Sequence, residues 1–215
     1  KRDPRHQSKG RLPSAGWLLQ NRWQGVFDPS VNPVFLNPTN GILGHTNNKY
    51  IDRSFPEHIS YEWGDSQRVQ RMLRLLQTRE VHTRDSFIEA QLDSVSPAAR
   101  TLLPLIAGEL WYQSEPVPPD STAGRRQTAL DLLANWNGEM SEHLPEPLIY
   151  AAWLRALQKR LIVDELGALH KAFTHVEPLF IERVFRDVSG ARIWCDVVQS
   201  RSVESCAEMS HLALD

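Results

Sequence analysis

The residue types that most often carry chemistry are present but scattered. Eight histidines (His6, His45, His58, His82, His143, His170, His175 and His211) fall in no HExxH motif, and no CxxC pair exists. His170 and His175 are five apart, which puts them about 140° apart on a helix of 3.6 residues per turn. They would not share a face, and no metal site is expected. No GxSxG elbow or SxxK motif marks a serine nucleophile. Neither Cys195 nor Cys206 sits in a catalytic-thiol motif. Gly41-Ile42-Leu43-Gly44 lacks the third glycine and the following helix of a nucleotide loop, and no Walker pattern occurs. Carboxylates such as Asp93 and Glu109 have ordinary helical spacing. No catalytic, cofactor-binding or metal-binding residue is assigned on this ground, and no cofactor is expected.

One stretch stands apart. Asn32-Pro33 and the run from Asn37 to Asn48 are dense in Asn around a short apolar step, Ile42-Leu43. Asn side chains satisfy backbone groups in tight turns, and they also serve as positioned donors and acceptors on the wall of a polar cleft. The pattern alone leaves both readings open.

The elements that would position these residues change character along the chain. Residues 1–64 hold 6 of the 14 Pro and 6 of the 11 Gly, with apolar residues in short bursts such as Trp17-Leu18-Leu19 and Val34-Phe35-Leu36. This predicts turns and short strands laid over a surface supplied by another part of the protein. Residues 65–215 have helical periodicity. Asp65 or Ser66 can cap a helix striped by Val69, Met72, Leu73 and Leu76. Thr83 can cap a second with Ile88, Leu92 and Val95 on one side, and Ser96-Pro97 starts a third that Pro104 should kink or split. Residues 113–124 read as an exposed, Pro-rich connection. Further helices are expected from about Arg125 to Trp136 (burying Ala129, Leu133 and Trp136), Pro147 to about Leu161, Glu165 to Phe173, from Pro178 (Ile181, Val184, Phe185 and Val188 inward), and from Val203 to Leu214.

The chain has 215 residues, a formal charge of -2 and 41% hydrophobic residues, with 7 Trp and 7 Phe. These values support a folded core and exclude the charge footprint of a dedicated nucleic-acid binder. No run reaches the ~18–20 apolar residues of a membrane helix. No nucleic-acid or membrane partner is expected. Both ends look cut, so the chain is expected to be a fragment of something longer.

The ordered series Gly10-Arg11-Leu12-Pro13, Gly16-Trp17, Trp23 with Gly25, the Asn-rich run, Phe55-Pro56, Trp63, Arg68, His82-Thr83, Gln91-Leu92-Asp93 and Trp136-Asn137-Gly138 resembles the penicillin amidase family of N-terminal-nucleophile hydrolases. Asn137 departs from the W-D-G turn of many relatives, a change expected to alter a turn bond only. The resemblance implies an autoproteolytic precursor whose new N-terminal Ser attacks an amide, with its own α-amino group as base. It implies substrates such as penicillins, cephalosporins or acyl-homoserine lactones, and partners in the remaining segments of the same processed precursor. The nucleophile would lie outside this chain, leaving the fragment inactive alone, while Arg2 or Arg5 would match an arginine supporting the active site.

The implied fold class is α+β: a mostly helical lobe (65–215) and an edge strand near Ile42 from a 1–64 segment of the αββα hydrolase sandwich. The resemblance also implies periplasmic or secreted location and a Cys195–Cys206 disulfide, matching Trp194-Cys195-Asp196 and Glu204-Ser205-Cys206 in exported members. The competing expectation is a non-enzymatic helical binding or scaffolding module.

Overall fold

The computed structural model describes residues 1–111 and 117–215. It divides into two compact units, Lys1–Arg84 and Asp85–Asp215.

The first unit is irregular for most of its length. It has two short 3-10 turns, Leu19–Asn21 and Pro29–Val31, and one helix, α1 (Gln67–Gln77). The switch from irregular to helical chain therefore falls near residue 66, whereas the compact unit runs on through Arg84. Helix α1 carries the expected stripe of Val69, Met72, Leu73 and Leu76, all half-buried. Asp65 supplies the start, its Oδ1 accepting from the Gln67 amide at 3.0 Å, and Ser66 makes no side-chain cap bond. The strand expected around Ile42 does not form. Among the described residues, ladder pairing in this unit is limited to isolated bridges between Arg2 and Trp23 and between Asn48 and Gly64. A strand needs a neighbour to take its alternate N–H and C=O groups, and this stretch has none.

What this unit buries is polar. Its fully buried residues are Asp3, His6 and Gln67, whereas Trp17, Val26 and Leu36 are 78%, 91% and 81% exposed. That inverts the usual distribution of apolar and polar side chains.

The second unit is helical: α2 (Arg84–Gln91), α3 (Pro97–Ile106), α4 (Thr122–Asn135), α5 (Glu146–Leu166), α6 (Pro178–Phe185) and α7 (Cys206–Leu214), with 3-10 turns at Gly167–Ala172 and Val188–Cys195. Helix α5 packs against α4, α7 and both 3-10 turns, and α3 packs against α6 and α7. Leu102, Leu130, Trp153, Leu157, Leu161 and Ile181 form the sealed centre. Each such side chain contributes about 1.5–3 kcal/mol on leaving water. Two buried polar bonds cross this core: Trp153 Nε1 donates to the Ser210 carbonyl at 2.9 Å, and Ser210 Oγ donates to the Ile106 carbonyl at 2.6 Å.

Local chemistry sets the helix ends. Ser96 Oγ accepts from the Ala99 amide at 3.2 Å with Pro97 at the first helical position, as expected, and α3 continues through Pro104 to Ile106. Helix α4 starts three residues earlier than expected because Ser121 Oγ accepts from the Gly124 amide at 3.0 Å. The connection expected over 113–124 lies outside the described residues as far as 116, and its last residues are already helix. Leu130, not Ala129, is sealed in the α4 core, with Trp136 half-buried. Helix α5 runs to Leu166, five residues beyond expectation, where Gly167 at φ +51 ends it. The helix expected over Glu165–Phe173 is thus the end of α5 and a 3-10 turn.

Other expectations also need correction. Ile88 and Leu92 of the α2 stripe are 39% and 75% exposed. Val188 is also exposed, because the chain leaves α6 at Phe185 and turns left-handed at Asp187. Helix α7 begins at Cys206, not Val203: Ser205 Oγ accepts from the Glu208 amide at 3.2 Å and Glu208 Oε2 accepts from the Ser205 amide at 2.6 Å, a reciprocal capping box. The carboxylate of Asp215 accepts from Arg126 Nε at 2.7 Å, tying α7 to α4. The Cys195–Cys206 disulfide is formed, with Cα atoms 5.0 Å apart, linking the second 3-10 turn to the start of α7.

Two substitutions test this packing. A Cβ at Gly124 would lie 2.2 Å from the Pro118 carbonyl oxygen and 2.5 Å from that of Pro119. Gly124→Ala should therefore cost about 1–3 kcal/mol of unfolding free energy, and an unchanged urea midpoint would contradict that close approach. Replacing both Cys195 and Cys206 by Ser should lower stability by about 2–3 kcal/mol. A thiol assay should find neither cysteine free until reductant is added; finding both free in the native protein would contradict the bridge.

Candidate functional site

The buried polar residues of the first unit are the parts of a single construction. Around Asp3 the chain makes a tight turn, the His6 amide donating to the Asp3 carbonyl at 3.0 Å. The Asp3 carboxylate then collects four donors: Arg5 amide at 2.8 Å, Arg5 Nε at 3.0 Å, Arg5 Nη2 at 2.8 Å and Gln24 Nε2 at 2.8 Å. These bonds, chiefly those from Arg5, hold its carboxyl far below the ordinary value of 3.8. Asp3 is 4% exposed and stays ionised, fixing residues 1–6 to the segment around Gln24.

Arg2 projects from the same turn. Its guanidinium lies 4.3 Å from the Trp23 ring centroid, and Nη1 is 3.1 Å from His6 Nε2. A guanidinium has no acceptor, so Nε2 accepts and the ring proton resides on Nδ1. On the other side of Arg2, a Cβ on Gly10 would stand 3.3 Å from Arg2 Cζ, and Gly10 adopts φ +83. The positive φ favours glycine there, and its lack of a Cβ leaves room for the Arg2 guanidinium. The two arginines singled out from the sequence thus have different surroundings: Arg5 is committed to Asp3 while its side chain stays 82% exposed, and Arg2 is clamped between Trp23, Gly10 and His6.

From His6 a row of rings continues: His6 to Phe55 (6.2 Å), Phe55 to His58 (5.3 Å), and His58 stacked on Tyr61 (4.3 Å), with the Arg11 guanidinium 4.4 Å above Tyr61. Burial first, then the charges of Arg2 and Arg11, push the His58 imidazole down from its ordinary value, so it is neutral at physiological pH. His6 Nδ1 and His58 Nδ1 are buried and have no hydrogen-bond partner among the described residues. Beside them opens a cavity of about 480 Å³ walled by Arg11, Arg53, Ser54, His58 and Tyr61 among others. The arrangement offers the fixed positive charge of Arg11 and Arg53 beside the neutral His58 imidazole, which suits holding a polar or anionic group. Of the hydroxyls nearby, Ser60 Oγ donates to the Glu62 carbonyl at 2.9 Å, and Ser8 Oγ donates to the Leu12 carbonyl at 2.7 Å.

The Asn-rich run resolves towards turn formation. Asn40 Oδ1 accepts from the Ile42 amide at 3.2 Å, and Asn48 Oδ1 from the Thr46 amide at 3.0 Å. Asn37 and Asn47 adopt left-handed φ values of 46 and 69. Arg68 of α1 pins the run, donating through Nη2 to the Thr46 carbonyl at 2.6 Å and to Asn47 Oδ1 at 3.0 Å. Asn137 works in the same manner in the second unit, Oδ1 accepting from the Glu139 amide at 2.8 Å, so the departure from Asp leaves the turn intact. Sequence reading passed over Asp3, His6 and His58. The only local signal was Asp3 two residues before Arg5, a spacing that lets one carboxylate take both amide and guanidinium.

Comparison with known proteins places these residues in context. The penicillin amidase family model matches residues 1–215, and the chain belongs to that family. Similar curated proteins include the acyl-homoserine lactone acylases QuiP of Pseudomonas aeruginosa (27% identical over 168 residues), of Pseudomonas fluorescens Pf0-1 (28% over 168) and of Pseudomonas putida KT2440 (28% over 171). In each case 76% of this chain is covered, and the chain spans about a fifth (20%) of the relative's length.

The Asp3 anchor can be tested by pH. Its folded value is depressed, so its stabilisation is complete above the ordinary carboxylate value of 3.8 and is lost as pH falls through and below that value. Asp3→Asn should be less stable than the parent in urea at neutral pH, with the gap closing as the pH drops below 3.8. A gap independent of pH would contradict the role assigned to the ionised carboxylate.

Proposed function

We propose that the protein carrying this chain is an amide hydrolase that cleaves the acyl side chain from acyl-homoserine-lactone-like or β-lactam substrates. The observation that carries this reading is the family match along all 215 residues, joined to relatives named as acyl-homoserine lactone acylases. The nucleophile is a Ser at the N-terminus of a longer chain freed by self-cleavage of a precursor, and it lies outside residues 1–215. Its Oγ attacks the amide carbonyl while its α-amino group takes the hydroxyl proton. Positioned donors hold the oxyanion, the amine departs with a proton, and water then releases the acid from the acyl-enzyme.

In this reading residues 1–64 line the hydrolase core, an αββα sandwich whose strands lie in other parts of the precursor. The exposed Trp17, Val26 and Leu36 support that arrangement, since a self-contained module would leave little such surface uncovered. Arg2, held by Trp23 and His6, supports the cleft wall. The disulfide favours export to the periplasm or beyond, where such bonds persist.

The test is amine release from N-acyl homoserine lactones. The full-length protein should liberate homoserine lactone and the free acid, and residues 1–215 alone should give no turnover above the blank. Turnover by the isolated segment, or none by the full-length protein on any acyl chain or β-lactam tried, would overturn the reading.

A further inference from the structure

The helical unit carries a groove whose charge and polarity are sorted along its length. One hollow of about 470 Å³, in the size range of small-ligand pockets, is walled by Ala152, Ala156 and Ile162 of α5 and by Phe173. Its floor holds one buried polar side chain, Gln158, and that side chain is fully used. Nε2 donates to the carbonyls of His175 (2.6 Å) and Phe173 (3.3 Å), and Oε1 accepts from the Glu177 amide at 2.6 Å. The floor therefore offers apolar surface to whatever enters. The rim carries Arg155, Lys159 and Lys171. No ion pair or hydrogen bond of these three side chains is found among the described residues, while the neighbouring His170 is engaged through Nδ1 with the Gly167 carbonyl at 2.7 Å. A second hollow of about 450 Å³ shares Gln158, Ile162 and Phe173 and continues to Phe180 and Trp194. There the charged group is Glu177 beside His175, so negative charge sits at that end.

We propose that this groove binds a straight-chain fatty carboxylate, its head among Arg155, Lys159 and Lys171 and its alkyl chain along Ala152, Ala156, Ile162 and Phe173. A floor of apolar side chains and a fully bonded Gln158, with the exposed Thr174 hydroxyl at its edge, selects a hydrocarbon body. Three unpaired cations on long flexible stems select an anionic head and can close over it. Glu177, in the adjoining hollow, disfavours a carboxylate head at that end. Only the source of the ligand rests on the function proposed above: hydrolysis of an acyl-homoserine lactone releases such an acid, which this groove would retain.

The test is photolabelling of the full-length protein with a diazirine-bearing dodecanoic acid below its micellar concentration, followed by peptide mapping. Labels should fall on residues 152–174, be displaced by dodecanoate, and resist the same concentration of dodecanol. The double variant Lys159→Glu/Lys171→Glu, with an unchanged melting temperature, should label about tenfold more weakly, the scale of two exposed ion pairs turned to repulsion. Ala156→Trp, which fills the hollow, should abolish labelling here. Absence of label from 152–174, as when another segment of the protein covers the groove, would overturn the proposal, as would equal displacement by dodecanol. Acyl-homoserine lactone hydrolysis measured on the same sample separates the two readings. Hydrolysis without labelling overturns the groove alone, and labelling without hydrolysis supports the groove while removing its proposed source.

Discussion

The helical unit depends on the burial of one long helix. Along α5, Tyr150, Trp153, Leu154, Leu157, Leu161 and Ile162 are all sealed from water, a belt too broad for a single partner. It is covered on different sides by α4, α7 and the two 3-10 turns. Because so much of α5 is apolar, few polar groups can point inward, and Gln158 does so only by bonding the backbone at Phe173, His175 and Glu177. That constraint shapes the segment after α5, and with it the groove that Gln158 floors. The disulfide and the α7 capping box act at the edge of the same core, holding the last helix where Met209 and Ser210 can be buried.

The first unit is organised on the opposite principle. Its fully buried groups are an ionised carboxylate, an imidazole and an amide, held by the cations that pair or stack with them, while Trp17, Val26 and Leu36 face outward. A carboxylate as well hydrogen-bonded as Asp3 fixes local geometry with little hydrophobic burial. Such a segment specifies a precise local shape while leaving large apolar side chains exposed. Family membership and the chain's fifth share of its relatives' length fit that division of labour.

How much of this was legible depends on whether the deciding interaction is local in sequence. Helices α1, α3 and α6 follow the apolar spacing because a 3.6-residue period is written along a few turns. The starts of α4 and α7 each lie three residues from where apolar spacing puts them, because Ser121 and the Ser205–Glu208 box set them through side-chain bonds that spacing does not encode. Ile88, Leu92 and Val95 share one side by spacing, yet among the described residues Leu92 is left 75% exposed and the Ile42 segment has no partner strand. The Asp3–Arg2–His6–His58 cluster joins residues up to 56 positions apart through single bonds and ring contacts, and no periodicity announces it. The family was legible because an ordered series of small motifs survives where each alone is weak.

The most direct test of the central claim is N-terminal sequencing and intact-mass measurement of the mature polypeptide that contains residues 1–215, isolated from its natural source. A longer chain opening with Ser, accompanied by a second chain from the same precursor, is the predicted result. A mature polypeptide that is never cleaved, or whose new N-terminus is a residue without a nucleophilic side chain, would contradict it.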